Sequence, residues 1–174
     1  MNGGSIRAGI KSGTITQADI LRALPYHNHL QYVTLKGSAL LEILEAATCT
    51  TPMALGGFPQ VAGIEYTIDT TQPFIKGELY PHSVYYKPAK PGTRVTIKSV
   101  GGKAFDPKAT YNIAVPDFLT SGGDSYYIMQ DPAQVQVHDV DYLDADAVRN
   151  YIKELGGTVG SQYAAPQGRI TIIK

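Results

Sequence analysis

The chain has 174 residues, of which 43% are apolar and 17% charged, and its 15 basic residues balance its 15 acidic ones. These values are typical of one folded domain that buries roughly 70% of its unfolded surface. The absence of net charge excludes a long-range field that would attract nucleic acid polymers or anionic membranes. The single cysteine, Cys49, excludes an internal disulfide and a cysteine-rich zinc site. The sequence contains no run of about 20 apolar residues, so it predicts no membrane-spanning helix.

The first part of the chain predicts alternating helices and strands. Thr16 and Asp19 form a variant capping box, followed by apolar residues at helical spacing, and Pro25 ends the helix. The apolar periodicity then changes between 2 and 3.6 residues along the chain. The further elements predicted here are a strand over residues 30–36, a helix from Gly37 to Ala47, and a strand over residues 61–69.

Prolines and glycines divide the second part of the chain. Residues 70–92 hold four of the eleven prolines, so we expect irregular structure there, with a short edge strand at residues 83–86. Gly101-Gly102 is a hairpin signal, and Pro116 predicts a short helix. Asp139 and Asp141 are expected in a solvated approach to a helix. The remaining predictions are strands over residues 94–100, 111–115 and 168–173, and a helix over residues 145–155 that Asp144 caps and Gly156-Gly157 stops.

The stretch over residues 117–127 carries the strongest chemical signal. It follows an apolar strand-like run and contains the glycine pair Gly122-Gly123, whose backbone can turn tightly or approach a ligand closely. Asp124 is therefore presented from a turn, and its carboxylate can accept two hydrogen bonds from a diol. Phe118 offers a flat ring for stacking. Such a ring can stack on the base of a nucleoside, and the carboxylate that follows the glycine pair can bind its ribose.

Four motifs in this chain resemble those of one known family. They are Phe-x-x-x-Gly-Gly-Asp ending at Asp124, Asn-Gly-Gly-Ser-Ile-Arg at residues 2–7, Leu-Pro-Tyr at residues 24–26, and Gly-Phe-Pro-Gln-Val-Ala-Gly at residues 57–63. Taken in their order along the chain, they are similar to the motifs of the C-terminal domain of 5′-nucleotidases. The resemblance implies that residues 1–174 form a single α+β domain, a layered α/β sandwich of mixed sheets with helices packed on them. It also implies a separate N-terminal metallophosphatase domain, which this chain does not contain.

The resemblance assigns roles to five residues. Tyr26, where the family usually has Phe, and Phe118 would clamp the base; Asp124 would hold the ribose; Asn2 and Arg7 would bind towards the phosphate. From the residues alone, core packing for the two rings, a turn role for Asp124 and a surface role for Arg7 stay open. Two further positions depart from the family pattern, because Asp117 replaces an expected Asn and Ser125 an expected Gly.

The implied function is recognition of an AMP-like nucleotide or nucleoside for a 5′-nucleotidase-type phosphoric ester hydrolase. Two divalent metal ions are expected in the N-terminal domain and no cofactor in this one, so the isolated chain is predicted to be inactive. His27 and His29 could face one side of an extended segment, but they lack a nearby third ligand, and we predict no metal there. The alternatives are a stand-alone nucleoside-binding module, the recognition domain of a 2′,3′-cyclic nucleotide or nucleotide-sugar hydrolase, and a structural domain that has lost the site. Enzymes of the family are usually extracytoplasmic.

Overall fold

The computed structural model describes all 174 residues and has an α+β fold, as predicted. Its helices are α1 (Gln17–Ala23), α2 (Gly37–Ala47), α3 (Asp117–Thr120) and α4 (Asp144–Glu154). Its strands are β1 (His29–Lys36), β2 (Ile64–Asp69), β3 (Lys76–Leu79), β4 (Tyr86–Pro88), β5 (Val95–Val100), β6 (Lys103–Ala104), β7 (Thr110–Pro116), β8 (Val135–Leu143) and β9 (Ile170–Ile173). None of the helices is long and apolar enough to cross a membrane.

One sheet contains three antiparallel strands in the order β7-β1-β8. Its register pairs Leu30 of β1 with Pro116 of β7. The start of β1 therefore lies beside the end of β7. As a result, the segment that precedes β1 and the loop that follows β7 emerge at the same end of this sheet.

A second sheet has the order β6-β5-β2-β9, and β3 pairs with β4 in a separate ribbon. The predicted hairpin at Gly101-Gly102 is confirmed, since it joins β5 to β6 with φ values of +60° and +75°. Glycine is favoured there because other residues are strained at such angles. The last strand, β9, adds parallel to β2.

The helix α2 contributes to the core that lies between the sheets. Its buried Leu40, Ile43 and Leu44 recur at helical spacing and belong to a cluster of 18 buried apolar residues. The same cluster takes Val33 and Leu35 from β1. Burying a side chain of this kind stabilises the fold by roughly 1.5–3 kcal/mol.

A charged residue of α2 holds the chain that enters β5. The Glu45 side chain is 1% exposed, and its carboxylate accepts hydrogen bonds from the backbone N–H groups of Gly92, Arg94 and Val95 at 2.8–3.3 Å. The Arg94 guanidinium donates to the backbone carbonyl groups of Thr48, Cys49 and Thr51, just beyond the end of α2. Helix and strand are therefore joined by a buried polar network, in which the Arg94 Nε–H alone has no partner.

Three sequence-based expectations need correction. Residues 135–143 form an edge strand paired with β1, and not an irregular approach to a helix; Asp139 and Asp141 are exposed on it, as expected. The edge strand expected at residues 83–86 lies instead at Tyr86–Pro88. Asp144 is the first residue of α4 and not its cap; its carboxylate is buried and accepts hydrogen bonds from Asn28 Nδ2 and the Ala145 N–H.

Candidate functional site

The loop after β7 is built around a close approach between Gly123 and Phe118. The Gly123 N–H donates to the Phe118 carbonyl oxygen at 2.9 Å and closes the turn that follows α3. A Cβ on residue 123 would lie 2.5 Å from that oxygen and 2.5 Å from Cζ of the Phe118 ring. Only glycine therefore fits, and its backbone supports one side of the ring.

Asp124 follows with φ +51°, in the left-handed region that Asp and Asn tolerate better than most residues. Its Oδ2 accepts a hydrogen bond of 2.8 Å from Asn2 Nδ2. Its other oxygen, Oδ1, accepts no hydrogen bond from the protein. One half of the carboxylate is thus fixed by the protein and the other half is free to accept.

Asn2 lies in a loop that is attached along its length to residues 56–59. Its side chain is 4% exposed, and its Oδ1 accepts a hydrogen bond of 2.5 Å from Ser5 Oγ. The Gly3 N–H donates to the Phe58 carbonyl at 2.8 Å, and the Gly4 N–H to the Gly56 carbonyl at 2.7 Å. Three of the four motifs found in the sequence, at residues 2–7, 57–63 and 118–124, therefore meet at Asp124.

The two predicted clamp residues both leave their rings in solvent. Tyr26 is 56% exposed and Phe118 is 41% exposed. The register of β1 on β7 brings both to one end of the sheet, and neither ring stacks on another aromatic residue of the chain. Both rings are therefore available to stack on a planar ligand.

Arg7 is exposed at the far end of the first loop. Its backbone N–H donates to the Ala23 carbonyl at 2.8 Å, which attaches the loop to the end of α1, three residues before Tyr26. Its guanidinium Nη1 lies 3.4 Å from the Gly4 carbonyl oxygen, so most of its donors have no partner in the protein. The side chain can therefore reach an anionic group near the loop.

Sequence reasoning missed the contribution of Tyr126. Its hydroxyl donates to the Gly57 carbonyl at 2.9 Å, and its ring is buried. Burial and the nearby Tyr66 and Asp124 raise the pKa of the Tyr126 hydroxyl well above its usual range. This bond ties the loop of residues 117–127, here called the signature loop, to Gly57. In the sequence, only the pair Tyr126-Tyr127 shortly after Asp124 could have indicated this contact.

The Ser125 side chain, at one of the two departures from the family pattern, is accommodated inside the protein. It is 1% exposed, its φ is not positive, and its hydroxyl has no hydrogen-bond partner. The serine therefore places no strain on the loop backbone. The other departure, Asp117, starts α3, where its Oδ1 accepts a hydrogen bond of 2.8 Å from the Phe118 N–H.

The histidines after Tyr26 do not meet a third ligand. His29 Nδ1 lies 3.7 Å from an Asp141 carboxylate oxygen that is fully exposed. No three side chains of His, Cys, Asp or Glu converge into a group that could hold a metal ion. The side chain that contacts the Asp124 carboxylate is the Asn2 amide.

Comparison with known proteins gives this arrangement a family. A profile described as "5'-nucleotidase, C-terminal domain" matches residues 1–131. The chain belongs to the 5′-nucleotidase family. The match is to the C-terminal domain, which confirms the resemblance drawn from the four motifs.

Individual relatives agree with this assignment. The chain is 33% identical over 174 residues to the trifunctional nucleotide phosphoesterase protein YfkN of Bacillus subtilis, covering 97% of this chain and 10% of that protein. It is 29% identical over 171 residues to a 5'-nucleotidase of Vibrio cholerae, covering 98% of this chain and 26% of that protein. The crystal structure of a 5'-nucleotidase precursor from Thermus thermophilus superposes with a TM-score of 0.79 at 32% identity, covering 99% of this chain and 31% of that one. This chain thus spans a third or less of the length of each of these relatives.

Proposed function

We propose that this domain recognises the nucleoside part of a nucleotide for a 5′-nucleotidase-type phosphohydrolase. Phe118 and Tyr26 take the base between them, the Asp124 carboxylate accepts hydrogen bonds from the ribose hydroxyls, and Arg7 binds towards the phosphate. Asn2 acts by holding Asp124. The observation that carries the proposal is the position of the Asp124 carboxylate. Asn2 donates a hydrogen bond of 2.8 Å to it, and Asp124 lies on the same loop as the exposed Phe118 ring.

The geometry around Asp124 favours a diol over a cation. One carboxylate oxygen is already bound to an amide donor, and no second carboxylate or histidine joins it in a group that could hold a metal. A ribose offers two adjacent hydroxyl donors, and hydrogen bonds to an ionised acceptor are about twice as strong as neutral ones. Stacking on Phe118 then fixes the base, at roughly 0.5–1.5 kcal/mol beyond the area buried.

Hydrolysis of the phosphate is proposed for the complete protein and not for this chain. Two divalent metal ions held by a separate N-terminal domain would supply the Lewis acid and the activated water. The residues of this chain bind and orient: the rings and Asp124 hold the nucleoside, and Arg7 directs the phosphate away from them. We therefore expect the 174-residue chain alone to release no phosphate from AMP. An extracytoplasmic location of the complete protein stays a prediction from the family.

Isothermal titration calorimetry of the chain with adenosine and AMP tests the proposal. We expect both ligands to bind, and Phe118→Ala and Asp124→Ala each to weaken binding about tenfold or more, since each removes one principal contact. AMP is expected to bind more tightly than adenosine, and Arg7→Ala to remove that difference. Arg22→Ala, which removes an exposed arginine of α1, is the matched control and should leave it unchanged.

Two results would contradict the proposal. If the folded chain binds neither ligand at millimolar concentration, nucleoside recognition does not reside in this domain. If the chain binds adenosine but Phe118→Ala and Asp124→Ala bind it equally well, the site lies elsewhere. Metal-dependent release of phosphate by the chain alone would refute the expected division of labour.

A further inference from the structure

A groove of about 620 Å³ adjoins the exposed ring of Phe118. The buried Met129 and Val135 form its apolar floor, and the less buried Asp117 and Gln130 lie at its rim. None of the residues assigned above to the ribose or the phosphate lines it. The groove therefore extends the site on the side of Phe118 that those residues leave open.

The groove shares its walls with the signature loop. A Cβ on Gly122 would lie 3.1 Å from Cδ of Gln130, and the Gln130 amide Nε2 donates to the Ser121 carbonyl at 2.8 Å. The Gln130 side chain therefore rests on the glycine pair that also supports Phe118. A base stacked on Phe118 would have one of its edges at the rim of this groove.

Two side chains of the groove keep an acceptor oxygen without a partner in the protein, Asp117 and Gln130. The Gln31 carbonyl accepts from Thr120, and its amide donates to Asp139. Gln130 donates one of its two amide N–H groups to Ser121, and its Oε1 accepts no hydrogen bond from the protein. Asp117 accepts the Phe118 N–H with Oδ1 and keeps its Oδ2. A ligand edge at this rim thus meets the free Oδ2 of Asp117, the one charged acceptor that lines the groove.

We propose that Asp117 makes this site selective for bases that carry an exocyclic amino group, such as adenine. This inference rests on the proposed function, which places the base on Phe118. An amino group donates to the Asp117 carboxylate, whereas a base edge without it leaves that charged oxygen desolvated and unpaired. Unpaired buried polar groups are penalised more strongly than paired ones are rewarded, so the missing donor should be clearly measurable.

The test compares two nucleosides that differ only in this group. Adenosine carries an amino group at C6, and purine riboside carries hydrogen there. By calorimetry with the unmodified chain, we expect adenosine to bind roughly tenfold more tightly, the effect of one hydrogen bond to a charged acceptor. Because this arm uses no variant, it does not depend on whether any substitution folds.

The second arm uses Asp117→Asn. The amide oxygen can keep the hydrogen bond from the Phe118 N–H, while an NH₂ donor replaces the free carboxylate oxygen. We expect the preference for adenosine over purine riboside to disappear in this variant. Asp106→Asn is the matched control, because the Asp106 carboxylate likewise accepts one backbone N–H, from Lys108 at 2.8 Å, and Asp106 lies outside the groove.

The outcomes separate this inference from the proposed function. Equal affinity for the two nucleosides in the unmodified chain overturns the role of Asp117 and leaves nucleoside recognition standing. A preference that persists unchanged in Asp117→Asn also overturns it. Failure of both nucleosides to bind overturns the proposed function, and this inference with it.

Discussion

Replacing Gly123 by alanine is the sharpest test of how the loop positions Phe118. The added Cβ would lie 2.5 Å from the Phe118 carbonyl oxygen and 2.5 Å from Cζ of its ring, whereas ordinary contacts begin near 3.4 Å. The ring could swing away, but the carbonyl belongs to the turn that the Gly123 N–H closes at 2.9 Å. The turn must therefore move by about 1 Å even if the ring swings away, and overpacking of this kind costs roughly 1–3 kcal/mol.

The assay for Gly123→Ala combines urea denaturation with calorimetric titration of adenosine. We expect the free energy of unfolding to fall by roughly 1–3 kcal/mol and adenosine affinity to fall with it, because the displaced ring no longer meets the base. Gly9→Ala is the matched control, since a Cβ at that position meets no atom within 4 Å and its φ is not positive. A Gly123→Ala protein with unchanged stability and unchanged adenosine affinity would refute the reasoning.

Three further predictions concern the stability of the fold. Glu45→Ala should lower the free energy of unfolding by roughly 3–5 kcal/mol in urea denaturation, because three buried N–H groups lose their acceptor; Glu45→Gln, which keeps one oxygen, should cost clearly less, and equal losses would contradict this role. Burial raises the pKa values of Tyr66, Tyr80 and Tyr126 above the usual 10. Above pH 10 the folded state keeps protons that the unfolded state releases. The free energy of unfolding therefore keeps its full value below about pH 10 and falls above it by up to about 1.4 kcal/mol per pH unit for each tyrosine. A urea midpoint that does not change from pH 9 to 11 would argue against this. Thr16→Ala removes the cap of α1 and should cost about 1 kcal/mol, with the loss visible as faster hydrogen exchange confined to that helix.

Local features of the fold could be predicted from the sequence because their causes are local. The capping box at Thr16 forms as expected, with Asp19 Oδ2 accepting the Thr16 N–H at 2.8 Å. The Gly101-Gly102 hairpin and the short helix after Pro116 follow from backbone preferences of one or two residues. These elements needed no knowledge of the rest of the chain.

The features that were missed depend on contacts between distant parts of the chain. The strand β8 contains Asp139 and Asp141 on an exposed edge, and only its pairing with β1, more than 100 residues earlier, makes it a strand. The hydrogen bond between Asn2 and Asp124 likewise joins residues 122 positions apart. Motif resemblance named both residues and assigned Asn2 to the ligand, which stays a prediction; the structure adds a partner for its amide within the protein. Its proposed role is therefore to position Asp124.

The central claim is that the Asp124 carboxylate binds the ribose hydroxyls, and a calorimetric comparison of adenosine with 2′,3′-dideoxyadenosine tests it most directly. The two ligands share the base and differ in the diol. We predict that the unmodified chain binds adenosine at least about tenfold more tightly, and that Asp124→Ala binds the two ligands equally. The same preference for adenosine in the unmodified chain and in Asp124→Ala would contradict the claim, because the diol would then be recognised by another group.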